Sequence, residues 1–123
     1  MKGTPAFKFG QFEIYVETWN QTITPLSAEE AEAKLHREGY ECFHWYDVPG
    51  ANYPQHQHQY DECLWLLKGE LLIKTHEQLI SLKAGDKIYL PAKLPHDLSV
   101  PTHSSATYLV GQKKTPSQSK KKE

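Results

Sequence analysis

The feature that most constrains this chain is a succession of short segments rich in aromatic and β-branched side chains. FEIYVETW (12–19), YECFHWYDV (40–48), ELLIKTH (70–76), QLISL (78–82), KIYLP (87–91) and SATYLVG (105–111) share this character, which suits a pleated, half-buried strand. Turn signals separate them: Pro49-Gly50, Lys68-Gly69, Gly85-Asp86 and the stretch from Pro91 to Pro95. Many short strands with such punctuation pack as an antiparallel sandwich or barrel, so the expected fold class is all-β. One helix is expected in SAEEAEAKLHREG (27–39), near the amino terminus. Ser27 can cap it, with Glu30 completing a capping box. Glu29 and Glu30 suit the positive end of the helix dipole, Lys34, His36 and Arg37 the negative end, and Gly39 the stop. Its apolar stripe is thin: Ala28, Ala31 and Leu35.

A chain of 123 residues is long enough for one core. A single domain is expected over 1–112, followed by a basic, disordered tail, KKTPSQSKKKE (113–123), with no apolar residue able to join that core. The net charge of −1 offers no electrostatic reason to expect nucleic acid. No apolar run approaches the ~20 residues that span a bilayer, so no membrane partner is expected. MKGTPAFKFG lacks the apolar stretch of a secretory leader, and Cys42 and Cys63 are too few for a disulfide scaffold. The expectation is a reduced, cytoplasmic protein.

The chemistry concentrates in GANYPQHQHQYDECLWLLKG (50–69). On a strand, His56 and His58 point the same way with Cα atoms about 7 Å apart, close enough for two imidazoles to share an ion. A bend between His58 and Glu62 brings the carboxylate beside them. If Glu62 faces inward, so do Leu64 and Leu66, which wall a pocket with hydrocarbon. Cys63, Trp65 and Leu67 then face outward. Such an apolar outer face calls for a cover, either a second layer or another subunit, and a homodimer touching Trp65 and Leu67 is the expectation.

Gly50, five residues, His56-x-His58, three residues, Glu62, six residues and Gly69 form a spacing that resembles the first motif of the cupin family. The second motif follows in part: Gly85, five residues, Pro91, and His96 five positions later, in GDKIYLPAKLPH. Fifteen residues separate Gly69 from Gly85, as in small microbial cupins. Two positions depart from the motif, Lys93 where it has Gly and Val100 where it has Asn. Lys93 puts the turn geometry in question, because a glycine there often serves a positive φ.

The resemblance implies a cupin-type antiparallel β-barrel (a double-stranded β-helix, or jelly roll) with His56, His58, Glu62 and His96 converging inside it. Three imidazoles and a carboxylate suit one first-row divalent ion: iron, manganese, nickel, cobalt, copper or zinc. On an octahedral ion two positions stay open for water, substrate or dioxygen; a closed tetrahedral zinc site is the competing reading. The expected function is metal-dependent chemistry on a small molecule, of oxygenase, isomerase or lyase type. The alternative is a non-catalytic ligand-binding or sensing module, since the fold hosts both. Tyr46 and Tyr89 are expected beside Leu64 and Leu66 in the pocket lining, and Tyr53, Tyr60 and Tyr108 are further candidates for its mouth. Asp61 and Tyr89 are the candidates for a general base. His44 is expected to be packed or hydrogen-bonded, and His36, His76 and His103 to be solvated.

Overall fold

The computed structural model describes residues 5–9, 12–20, 24–76 and 78–113, among which one helix and nine strands form. The tail beyond Lys113 lies outside the described residues. The helix α1 (Ala28–Arg37) begins where its capping signals put it, with the Glu30 N–H donating to Ser27 Oγ at 3.0 Å. Ala31 and Leu35 are fully buried, and the charged residues take the other face.

The strands are β1 (Pro5–Phe9), β2 (Phe12–Thr18), β3 (Glu41–Asp47), β4 (Asn52–His56), β5 (Asp61–Thr75), β6 (Gln78–Lys83), β7 (Asp86–Leu90), β8 (His96–Ser99) and β9 (Ala106–Lys113). They pair antiparallel throughout, as two sheets. One runs β1-β2-β7-β5-β9-β3, the other β4-β8-β5-β6. The expected all-β antiparallel barrel with one short helix is what forms.

β5 belongs to both sheets, which corrects one sequence expectation. Lys68-Gly69 reads as a turn, but the chain does not reverse there. It bends within a single strand, with a register shift against β9 between Leu66 and Lys68. Residues before the bend pair with β7 and β9, and those after it with β6 and β8. Gly69 makes the corner possible: its φ is +89°, and a Cβ would stand 1.9 Å from the Ser105 carbonyl oxygen.

Period-two alternation then sorts the side chains. Leu64 and Leu66, with Ile88 and Leu90 of β7, face Leu71, Ile73, Leu82 and Leu98 of the second sheet across the main core. Cys63, Trp65, Tyr89 and Leu109 face the other way and form a second core with Tyr40 and with Ala31 and Leu35 of α1. The helix is therefore the cover that the outer face needs. Trp65 is 2% exposed, its indole N–H donates to the Gly85 carbonyl at 3.1 Å, and the Lys87 ammonium sits 4.2 Å over its ring. A subunit contact at Trp65 is corrected accordingly, because the chain covers that residue itself. Among the described residues no helix is long and apolar enough to cross a membrane.

Candidate metal centre

The two halves of the site meet by strand pairing. His56 ends β4 and His96 begins β8, and the two are cross-strand partners with ring centroids 4.5 Å apart. His58 lies just past the end of β4, 4.9 Å from the His56 ring and 5.6 Å from the His96 ring. One ligand atom from each of His56, His58 and His96 lies within 4.8 Å of the other two. Glu62, at the start of β5, adjoins this group: its Oε1 is 3.6 Å from His58 Nε2 and 3.3 Å from His96 Nε2.

The turn between β7 and β8 is tied to the first motif at two points. The Lys93 N–H donates to the His58 carbonyl at 2.7 Å, and the Ala92 N–H donates to Asp61 Oδ1 at 2.9 Å. Lys93 has a φ of +71°, so the turn keeps the left-handed residue that glycine usually supplies, with a lysine in it. Val100 is buried in the main core, and its N–H donates to the Ala51 carbonyl at 2.9 Å. An apolar side chain there fills core volume.

The hydrogen bonds of the imidazoles test whether this set fits a metal. His56 Nδ1 lies 2.8 Å from the Pro54 carbonyl, and His96 Nδ1 lies 2.9 Å from the Leu94 carbonyl. A carbonyl only accepts, so each Nδ1 carries the hydrogen and each neutral ring keeps its lone pair on Nε2. That arrangement orients metal-ligating histidines. Tyr60 stacks on His58 at 4.8 Å and 17°, and its hydroxyl accepts from Gln112 Nε2 at 3.1 Å. Burial lowers the pKa of His58 and favours its neutral form. At His96 burial also opposes the charge, but the Glu62 carboxylate and the Leu94 carbonyl outweigh it, so its pKa is raised. The donors suit a divalent first-row ion, and the set contains no thiolate.

A cavity of about 700 Å³ opens over the site, lined by His56, His58 and Glu62. Leu64 lines it as expected. Leu66 sits on the same strand face but is enclosed in the core, outside the lining. Tyr46 is 61% exposed and outside the lining, whereas its neighbour Trp45 lines the cavity. Tyr89 is on the far side of the sheet beneath α1, sharing the face of Lys87, while Ile88 and Leu90 point inward. Its hydroxyl is 3.1 Å from Glu38 and 3.3 Å from Glu17, and Asp61 lies by the same outer groove as Tyr89. Neither candidate base borders the cavity. Tyr53, Tyr60 and Tyr108 do line it, together with residues the sequence reading did not single out: Phe43, Trp45, Leu98, Val110 and Gln112. His44 also lines it and bonds to Glu32 at 3.1 Å.

Asp47 was missed as well. Its buried carboxylate accepts from the Tyr53 hydroxyl at 2.6 Å, the Trp45 indole N–H at 3.1 Å and the Tyr108 hydroxyl at 2.6 Å. An acidic residue closing an aromatic strand was the one available signal, and its partner Tyr108 is 61 residues away.

Fold and site together define a small antiparallel β-barrel protein with an interior donor set able to hold a metal ion. The family model described as a cupin domain matches residues 43–111, more than half of the sequence, and the chain belongs to the cupin domain family. Solved structures share the fold. A cupin protein of Bacteroides fragilis is 23% identical, covering 95% of this chain and 89% of its own, with a TM-score of 0.57. A cupin-like protein of Thermotoga maritima is 15% identical, covering 94% and 80%, with a TM-score of 0.58. The EutQ protein of Clostridium difficile is 17% identical, covering 86% and 71%, with a TM-score of 0.55. No curated protein matches the chain.

Proposed function

We propose that this cupin binds one divalent transition ion (iron, manganese, nickel, cobalt, copper or zinc) through His56, His58, His96 and Glu62, and acts there on a small molecule held in the cavity. The observation that carries the proposal is the geometry of the rings: His56 and His96 each set Nδ1 against a backbone carbonyl, gathered with His58 against one carboxylate. A bound ion would supply Lewis-acid or redox chemistry, which is compatible with oxygenase, isomerase or lyase reactions. The chain's own part is to hold and orient. Glu62 contributes the negative charge, Tyr60 stacks on the His58 ring, and Leu64, Tyr108 and Val110 line the cavity beside the site.

A second reading, a non-catalytic small-ligand binder, draws support from the lining. Apart from Glu62 no carboxylate borders the cavity among the described residues, and no lysine or arginine does. Catalysis would therefore rest on the ion. We place the protein in the cytoplasm, where the thiols of Cys42 and Cys63 stay reduced. A homodimer is also proposed, with its contact moved to the outer face of β3, which bears exposed Tyr46 away from the cavity lining and pairs only with β9 among the described residues. The metal assignment is tested by elemental analysis after loading and dialysis. Wild type and His36→Ala should retain about one ion per chain, and His58→Ala and His96→Ala much less. Equal retention by all four proteins would overturn the assignment.

A further inference from the structure

The cavity wall has a chemistry of its own. Trp45, Tyr53 and Tyr108 each bring a polar group to it, and all three groups are spent on one carboxylate, that of Asp47. Asp47 is 6% exposed and accepts at both oxygens, and the Trp45 indole N–H also lies 3.2 Å from the Tyr53 hydroxyl. Burial and the bond to Asp47 push the Tyr108 phenol well above its ordinary range, and the same bond raises Tyr53, so both stay neutral donors aimed at Asp47. What these side chains offer the cavity is ring carbon. Tyr60 is likewise engaged, stacked on His58 and bonded to Gln112. Burial pushes the Cys42 thiol up to about 11, which leaves it uncharged. No lysine or arginine lines the cavity among the described residues, so an anionic group held away from the proposed ion would find no fixed cation beside it.

Resting on the proposed metal-binding reading, we infer that the cavity takes a flat, uncharged aromatic ring system that directs a polar group toward His56 and His58. A volume of about 700 Å³ accommodates fused rings. The rings would lie among Trp45, Tyr53, Tyr108 and Val110, where aromatic faces and edges meet. A sugar, which needs many directed hydrogen bonds, would meet donors already committed to Asp47.

Calorimetric titration of the zinc-loaded full-length chain tests this with three probes: naphthalene-2,3-diol, its 6-sulfonate, and glucose. The neutral diol should bind at least about tenfold tighter than the sulfonate or glucose, since a charged group without a partner costs at least that much. Trp45→Ala should lose up to about tenfold in diol affinity, and Trp45→Phe should restore most of it, because the ring and not the indole N–H faces the ligand. Trp45 is half-exposed, so both variants should fold, and thermal melts verify that. Sulfonate or glucose binding as tight as the diol, or equal affinities for Trp45→Ala and wild type, would overturn the inference. Zinc content measured on the same samples separates the two readings. If zinc is held and the diol shows no preference, the ligand class is wrong and the metal site stands. If zinc is not held, the metal reading fails, and the ring preference is judged on metal-free protein: Trp45-dependent diol binding supports it and its absence refutes it.

Discussion

Replacing Gly69 by alanine should damage this protein far more than the same change at Gly50, although both positions have positive φ. At Gly50 (φ +82°) the nearest atom to a new Cβ is Thr102 Cγ2 at 3.8 Å, an ordinary contact. The cost there is the backbone conformation alone, about 1–2 kcal/mol. At Gly69 (φ +89°) the Cβ meets the Ser105 carbonyl oxygen at 1.9 Å, its carbon at 3.0 Å and Ala106 Cα at 3.1 Å. These are backbone atoms of β9 and the turn before it, so relief requires the Gly69–Ala106 pair to separate. Overpacking of this kind adds about 1–3 kcal/mol, taken at its upper end because no side chain can swing away. Gly69→Ala should then cost about 4.5 kcal/mol, against about 1.5 for Gly50→Ala. At about 4 °C per kcal/mol for a domain of this size, the melting points should fall by ~18 °C and ~6 °C. The loss also reaches the site, because the half of β5 beyond the corner pairs with β8, which carries His96. Differential scanning calorimetry of the two variants and wild type measures the gap. Melting points within ~3 °C of each other would refute the close-approach argument and leave only the shared φ penalty.

Lys93→Gly should raise stability by about 0.5–1 kcal/mol, the relief of a left-handed lysine less the greater unfolded-state entropy of glycine; urea midpoints measure it, and metal content should not change. The stabilisation conferred by bound metal should shrink as pH falls. The raised pKa of His96 gives the metal-free fold a contribution fully present below about 6.5 and lost as pH rises through its folded value, whereas metal needs that ring neutral. Melts with and without metal should therefore diverge above that range and converge by about pH 5; an undiminished metal advantage at pH 4 would contradict the linkage. Trp65→Asp, which places a carboxylate between sheet and helix, should cost more than the about 3–5 kcal/mol of a Trp→Ala change and lose the cooperative melt. Light scattering of wild type at micromolar concentration should give the mass of two chains, and a monomer mass would remove the proposed dimer.

What the sequence determined by itself was whatever depends on neighbours along the chain. The capping box at Ser27 and Glu30 and the charge gradient through Arg37 are local, and the helix forms between them. The inward set Glu62, Leu64 and Leu66 follows from strand alternation, which any pairing preserves. The family resemblance carried by their spacing implied that His56, His58, Glu62 and His96 converge, and the structure brings the four side chains together. Tyr89, expected in the pocket lining, lies on the opposite face, a placement its position two residues from Lys87 on the same strand face could have signalled. Tertiary structure decided the rest. Whether Lys68-Gly69 reverses the chain or bends it depends on Ser105 and Ala106, more than thirty residues away, whose backbone leaves no room for a Cβ. Whether Trp65 faces a partner or its own helix depends on where Ala31 and Leu35 dock. The aromatic wall exists because Asp47 takes hydrogen bonds from Tyr53 and from Tyr108 on a paired strand. A buried carboxylate stabilises such a wall only once its donors arrive, and those donors are brought by the fold.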